Sequence, residues 1–236
     1  MLSLHLSSSG CGAVVETSRD LGLTWQGPRF PRLSYGDGEI VSAATSHDVF
    51  VALTSSPGGS QPTGKLISTL DGGRRWLIEA LPCPAAYRPR MTISVPQGGG
   101  AVWLACFGQP GAGNSTEIFY RTIDRGTSWV PMSSTLRLTA PHVPATAPPG
   151  DLETLYATSP TSALVLTVNG GLFVSHDGGS RWSAATTHAQ SQLWGAFSGS
   201  LDFVDHTNGW VSLWITVPGY VGLWRTTNGG VTWSPA

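Results

Sequence analysis

One eight-residue pattern returns five times along this chain and limits what it can fold into more than any other feature. Ser18-Arg19-Asp20-Leu21-Gly22-Leu23-Thr24-Trp25 recurs as Thr69-Leu70-Asp71-Gly72-Gly73-Arg74-Arg75-Trp76 and as Thr122-Ile123-Asp124-Arg125-Gly126-Thr127-Ser128-Trp129. The last two copies are Ser175-His176-Asp177-Gly178-Gly179-Ser180-Arg181-Trp182 and Thr226-Thr227-Asn228-Gly229-Gly230-Val231-Thr232-Trp233. The Asp or Asn falls at 20, 71, 124, 177 and 228, so the steps by subtraction are 51, 53, 53 and 51. A repeat of roughly 40–50 residues carrying several short apolar runs is the length of one four-stranded propeller blade.

Each constant position has a physical task. The Asp or Asn oxygen can accept backbone N–H bonds one or two residues on, closing an Asx-type turn. The Gly two residues later admits a positive φ, and the Ser or Thr two residues earlier adds a hydroxyl to the turn. The Trp starts the returning strand, with an apolar face to pack and an indole N–H in need of a partner. Asp20, Trp25, Asp71, Trp76, Asp124, Trp129, Asp177, Trp182, Asn228 and Trp233 are therefore read as structural corners.

Between these corners the apolar pattern supplies further strands bounded by Gly-rich turns. The second repeat reads Glu39–Thr45, Val49–Thr54, Lys65–Leu70 and Trp76–Ala80, and the third Met91–Val95, Ala101–Phe107, Glu117–Ile123 and Trp129–Pro131. The fourth reads Leu152–Thr158, Ser162–Val168, Leu172–His176 and Trp182–Ala185, and the fifth Gly199–Val204, Gly209–Thr216, Gly222–Thr227 and Trp233–Pro235. In the first repeat Met1–Ser8 aligns with a second strand and Gly12–Ser18 with a third, with no innermost strand before them. The expectation is an all-β propeller in a single domain over 1–236, with blades at 1–30, 39–80, 91–131, 152–185 and 196–236. Four blades are expected to be complete and the N-terminal one partial, either as a chain truncated from a larger ring, the favoured reading, or as a compact five-bladed ring with one imperfect blade. An unpaired inner strand edge is a liability.

The pattern S/T-x-D-x-G-x-x-W resembles the Asp-box, or BNR repeat, of sialidases, sortilin-type receptors, xyloglucan-active glycosidases and photosystem II assembly factors. That resemblance covers the chain through its repeats and implies the fold. It implies no activity, because function resides in sites added to a scaffold.

Composition narrows the classes. Thirty Gly, seventeen Pro and ten Trp suit tight turns and aromatic packing between sheets. A net charge of −1 gives no footprint for nucleic acid, and no apolar run is long enough for a membrane-spanning helix. Leu6 to Cys11 only faintly suggests a lipoprotein cleavage site; the apolar stretch before it is short and without basic residues, and a strand explains it better. Cys11, Cys83 and Cys106 are odd in number, and Cys83 and Cys106 flank neighbouring strands. They pair if the protein is exported; otherwise all three are buried thiols. The six His show no metal-ligand spacing, so no metal and no cofactor is expected. There is no nucleophile elbow or P-loop, and Gly98-Gly99-Gly100 reads as a strand turn.

Propeller topology sets the corners on one face with the turns between first and second strands. The connections Gln26–Gly38, Leu81–Arg90, Met132–Gly150 and Thr186–Gly195 then reach the opposite face with the loops between second and third strands. These connections carry Arg29 and Arg32, Arg88 and Arg90, and Arg137, accompanied by Tyr35, Asp37, Tyr87 and His142. Arginine forks suit carboxylate or phosphate, and Trp194 and Tyr220 can stack on a sugar ring. Tyr87-Arg88-Pro89-Arg90 is similar to the Tyr-Arg-Ile-Pro motif of sialidases but departs from it and lies after the second corner. Carboxylate candidates are Glu39, Asp151 with Glu153, and Asp202 with Asp205, none of them a defined acid–base pair. The reading is a non-catalytic recognition propeller, extracellular or envelope-associated, binding a protein or glycan. The alternatives are an exo-acting glycoside hydrolase of the sialidase type and an assembly factor of the photosystem II type.

Overall fold

A computed structural model describes residues 2–6, 13–17, 23–24, 39–43, 45, 47–53, 64–84, 90–108, 116–135, 146–168, 171–187, 196–215 and 220–236. All regular structure among them is strand, and no helix is long and apolar enough to cross a membrane. The first repeat contributes β1 (Leu2–Leu6) and β2 (Ala13–Thr17), paired antiparallel as a two-stranded sheet. The second forms β3 (Glu39–Ala43), β4 (Val49–Leu53), β5 (Lys65–Thr69) and β6 (Leu77–Ala80), hydrogen-bonded in that order. The third forms β7 (Arg90–Ser94), β8 (Val102–Phe107), β9 (Glu117–Thr122) and β10 (Val130–Ser134). The fourth forms β11 (Leu152–Ala157), β12 (Ala163–Thr167), β13 (Leu172–Ser175) and β14 (Ser183–Ala184), with β15 at Thr186–Thr187. The fifth forms β16 (Ala196–Phe203), β17 (Gly209–Ile215), β18 (Tyr220–Thr226) and β19 (Thr232–Pro235).

The expected strands appear, with ends moved by a few residues. Trp76, Trp129 and Trp182 precede their returning strands, and only Trp233 lies within one. β10 continues to Ser134, past the expected end at Pro131. One assignment is corrected: Thr186 and Thr187 form β15, pairing parallel with β19 where only a connection was expected. The parallel pairing adds a segment from the fourth repeat to the outer edge of the fifth sheet.

The first strands β3, β7, β11 and β16 stand side by side in chain order, so the four sheets follow one another with their faces packed together. The second strand of a sheet then lies between two neighbours, and β4, β8 and β12 are buried almost throughout. Because alternate side chains of a strand leave on opposite faces, each such strand feeds two cores. Val102, Leu104 and Cys106 of β8 join Phe50, Ala52 and Leu66 of the second sheet. Trp103 and Ala105 turn the other way to meet Ala163 and Val165 of the fourth. Leu164 and Leu166 in turn meet Val211, Leu213 and Trp233 of the fifth. A continuous apolar run such as Val49–Leu53 is the sequence mark of a strand covered on both sides.

The fifth sheet departs from this rule. Leu66, Phe119 and Leu172, each five residues before the key Asp, are buried, whereas the equivalent Leu223 is 51% exposed and Trp214 beside it 59%. That face has no sheet against it among the described residues.

Cys83 and Cys106 form a disulfide with Cα atoms 5.6 Å apart and 23 residues of separation, which replaces the reading of three buried thiols. It ties the segment after β6 to β8 beside the core between the second and third sheets. Constraining a loop of that length is worth about 3 kcal/mol. Denaturant unfolding with and without reductant should show a loss of that size, and equal midpoints would mean that the bond contributes nothing.

Candidate functional site

The repeated turn is built by a short relay of hydrogen bonds. In the second repeat the Thr69 hydroxyl donates to Asp71 Oδ1 (2.9 Å) and accepts from the Gly73 N–H (2.9 Å), while Asp71 Oδ1 accepts from the Arg75 N–H (2.9 Å). The same relay runs through Thr122, Asp124, Gly126 and Ser128, and through Ser175, Asp177, Gly179 and Arg181. Thr226, Asn228, Gly230 and Thr232 repeat it. The carboxylate thus accepts from the fourth residue on, not from the first or second as the sequence suggested. In the last copy polarity reverses at one contact. Asn228 Nδ2 donates to the Thr232 hydroxyl (2.8 Å), where Asp124 accepts from the Ser128 hydroxyl.

Two consecutive residues hold positive φ in each described turn: Gly72 and Gly73, Arg125 and Gly126, Gly178 and Gly179, Gly229 and Gly230. The first of these also ties the turn to the loop between first and second strands. The N–H of Gly72 donates to the His47 carbonyl, that of Gly178 to Thr161 and that of Gly229 to Thr207. Corners and first-to-second turns therefore share one face. Of the indoles, Trp182 donates to Gly179 O (3.1 Å) and Trp233 to Gly230 O (2.8 Å), whereas Trp129 Nε1 is buried without a partner among the described residues. Asp20 and Trp25 lie outside the described residues.

The Asp124 carboxyl is pulled from 3.8 to about 2, most by the Ser128 hydroxyl, then by the Thr122 hydroxyl and the Ser128 N–H. The folded value lies below the unfolded one. The stabilisation is therefore full above about pH 4 and fades as pH falls through the folded value. Asp124→Asn keeps the acceptor oxygen, as Asn228 does, and should flatten this part of the acid limb of a Tm-against-pH curve. An unchanged limb would remove Asp124 from the acid response.

On the opposite face the chain enters the first strands. Glu39 opens β3 opposite Leu53, Arg90 opens β7 opposite Phe107, and Asp151 directly precedes β11, whose Leu152 lies opposite Thr167. Two neighbouring strands thus begin on an acid and an arginine, and an acid directly precedes the third. The side chains around them are committed to joining sheets. Fully buried Glu117 accepts from the Leu152 N–H through Oε1 (2.7 Å), and Glu153 Oε1 accepts from the Gly199 N–H (2.9 Å). At the other ends of the first strands, toward the corner face, Ser42 Oγ accepts from the Val95 N–H just past β7, Ser94 Oγ from Ala157 and Tyr156 Oη from Phe203, each reaching the next sheet. Burial pushes the Tyr156 phenol up, Phe203 opposes it, and the charge of Asp202 adds to the rise. Asp151 Oδ1 is buried with no hydrogen-bond partner among the described residues.

Asp205 caps its own turn. It accepts from the Thr207 N–H and hydroxyl and from the Asn208 N–H and amide. Those groups, the Thr207 hydroxyl first, hold its carboxyl far below the usual range. Among the described residues no three His, Cys, Asp or Glu gather to hold a metal.

Of the residues singled out for ligand binding, Arg29, Arg32, Tyr35, Tyr87, Arg88, Arg137 and Trp194 lie outside the described residues, as do Asp37 and His142. The backbone places Arg90 at the head of β7 and Tyr220 at the start of β18. Sequence reasoning missed Glu117 and Ser94. A polar residue in an apolar run gives no sign of whether it meets water or a neighbouring N–H.

No family model matches the chain, and no curated protein matches it. Solved structures do. The GH74 enzyme of Niastella koreensis aligns over 99% of this chain with a TM-score of 0.52 at 15% identity. This chain spans only 30% of that enzyme's length. The SapL1 lectin, solved with alpha methyl fucoside, aligns over 96% of this chain and 72% of its own with a TM-score of 0.50 at 13% identity. YCF48 from Cyanidioschyzon merolae aligns over 83% of this chain and 54% of its own with a TM-score of 0.46 at 18% identity. The first two share the fold, a β-propeller, and at these identities they share no more than that.

Proposed function

We propose that this propeller is a recognition module without catalysis, binding a protein or glycan on the face where the first strands begin. The observation that carries this reading is the engagement of the acids there. Glu117 and Glu153 each give a carboxylate oxygen to a backbone N–H of the next sheet. A carboxylate holding two sheets together is poorly placed to shuttle protons or to attack a sugar. The connections supply the binding chemistry in this proposal. Arg29, Arg32, Arg88, Arg90 and Arg137 offer forks for carboxylate or phosphate groups. Tyr35, Tyr87, Trp194 and Tyr220 offer stacking faces.

In the same proposal the repeated turns are Asp-boxes, and the four sheets with β1 and β2 are four complete blades and one partial blade. The disulfide supports an exported protein, since such bonds persist in oxidising compartments. A second reading, an exo-acting glycoside hydrolase of the sialidase type, is favoured by Glu39 and Arg90 at the heads of β3 and β7 and Asp151 just before the neighbouring β11.

The two readings separate in one pair of assays on the full chain, a glycan and peptide array and hydrolysis of a fluorogenic sialoside. The expected result is array binding that Arg90→Ala weakens about tenfold, the loss of one charge-assisted contact, with no turnover. Turnover of the sialoside would replace the first reading with the second.

A further inference from the structure

The fifth sheet packs on the fourth through Leu201, Val211, Leu213, Trp224 and Trp233. Alternate side chains leave on its other face, and the strand register sets them in rows. Asp202 stands opposite Trp210, Trp210 opposite Arg225, and Arg225 opposite Ser234. In the next row Ser200 stands opposite Ser212, and Ser212 opposite Leu223. Trp214 follows on β17, four residues past Trp210. Asp202, Trp214, Leu223 and Arg225 are exposed, and Trp210 is half-buried.

The same rows exist in the other three sheets, where a following sheet covers them. Asp202-Trp210-Arg225 corresponds by register to Ser42-Phe50-Ser68, Ser94-Trp103-Arg121 and Tyr156-Leu164-Val174. Ser212 corresponds to Ala52, Ala105 and Leu166, all buried. The fifth sheet keeps the aromatic centre of the row but breaks the pattern around it. A serine replaces a buried apolar residue and pairs its hydroxyl with Ser200 (2.8 Å). A carboxylate replaces a hydroxyl, and a covering sheet would take that charge out of water with no cation supplied. This face is composed to meet something polar, around an indole.

We propose that this face binds a neutral oligosaccharide laid along β17, with one pyranose ring on Trp210 and another on Trp214. The C–H face of a sugar ring packs on an indole. Asp202 and Arg225 stand one strand to either side of Trp210, about 5 Å away each. The carboxylate there accepts from ring hydroxyls and the guanidinium donates to them, and such charge-assisted bonds are the strong ones. The two charges are opposite, so together they favour a neutral ring over an acidic one. At about 3.3 Å per residue the two tryptophans stand about 13 Å apart along the strand, beyond the span of one ring, so the ligand is a chain. Beside Arg225 a cleft of about 270 Å³, lined by Thr227, Thr232 and Ser234, adds hydroxyls and room for a substituent. The site is separate from the face where the first strands begin, so either proposal stands if the other fails.

The test titrates the full chain with cellohexaose, maltohexaose, laminarihexaose and mannohexaose, and with glucose and mannose, following the indole N–H resonances of Trp210 and Trp214. At least one hexasaccharide should shift both resonances saturably and bind at least about tenfold more tightly than its own monosaccharide. Trp214→Ala and Asp202→Ala should each weaken that binding about tenfold. Leu223→Lys should leave Tm within about 3 °C of the parent, as a substitution at a water-facing position does. Failure of all four hexasaccharides to shift both indoles would overturn the proposal, and a glycan held only at the first-strand heads would give that result. So would equal binding of hexasaccharide and monosaccharide. A larger fall in Tm for Leu223→Lys would also overturn it, by showing that a sheet or a second copy covers this face.

Discussion

Trp233→Ala should lower stability by about 3–5 kcal/mol, the range for emptying a large aromatic site in a packed core. Trp233 is 1% exposed and sits in the core between the fourth and fifth sheets with Leu164, Leu166 and Leu213. Its ring meets Phe203 edge-on at 6.1 Å, and its indole N–H donates to Gly230 O at 2.8 Å. Truncation removes the apolar contact, leaves a cavity and frees the carbonyl that holds the turn's second glycine. Guanidinium denaturation should report the loss as a shifted midpoint at constant slope. Trp129→Ala should cost less, because that indole is only half-buried and its Nε1 makes no bond among the described residues. A Trp233 variant within about 1 kcal/mol of the parent would mean that the turn's tryptophan is not part of the core.

Gly179→Ala is the second large effect, at about 2–5 kcal/mol. Two independent costs add. The residue sits at φ +91°, a left-handed conformation worth about 1–2 kcal/mol against any side chain. Its Cβ would also lie 2.9 Å from Trp103 Cζ3 and 3.4 Å from Met132 Cβ, both in the preceding sheet. Trp103 is fully buried and held by its own bond to Ser159 O, so it has no room to yield. Overpacking of this kind costs about 1–3 kcal/mol. Gly98→Ala supplies the control, since φ is +86° there too but nothing lies within 4 Å. It should cost the backbone share alone. Equal losses at the two positions would show that only the dihedral matters and that the turn does not brace its neighbour.

The same close approach recurs along the chain. A Cβ on Gly126 would strike Leu66 of the second sheet, and one on Gly230 would strike Leu164 of the fourth. The second glycine of the turn therefore serves two ends: it gives the backbone its conformation and lets the corner rest on the preceding sheet. Only the first was legible in the sequence, because a one-chain pattern shows a glycine's freedom but not what lies against it. The strands were legible for the opposite reason. Val49–Leu53 and Val102–Cys106 are apolar at every position, and such short runs bounded by turns leave few choices besides a strand covered on both faces.

The polar stitching between sheets was harder to read. Glu117 at the candidate surface, and Ser94 and Ser42 at the far ends of their strands, each join one sheet to the next, but an isolated polar residue looks the same on a solvent edge. Thr186 and Thr187 gave no sign of β15, since a two-residue strand has no periodicity to detect. The acceptor role of Asp71 was foreseen, but its partner was placed too near. The identity of a turn residue does not reveal that two left-handed positions in succession carry the chain round to Arg75 before the bond closes.

The central claim is that the repeated turns are rigid braces between sheets. Amide hydrogen exchange of the full chain tests it most directly. The N–H groups of Gly73, Gly126, Gly179 and Gly230 are buried and bonded to Thr69, Thr122, Ser175 and Thr226. They should exchange nearly as slowly as the amides of β4, β8 and β12, near the limit set by global unfolding. Exchange of those four glycine amides at the rate of an open surface loop, with the strands still protected, would contradict it.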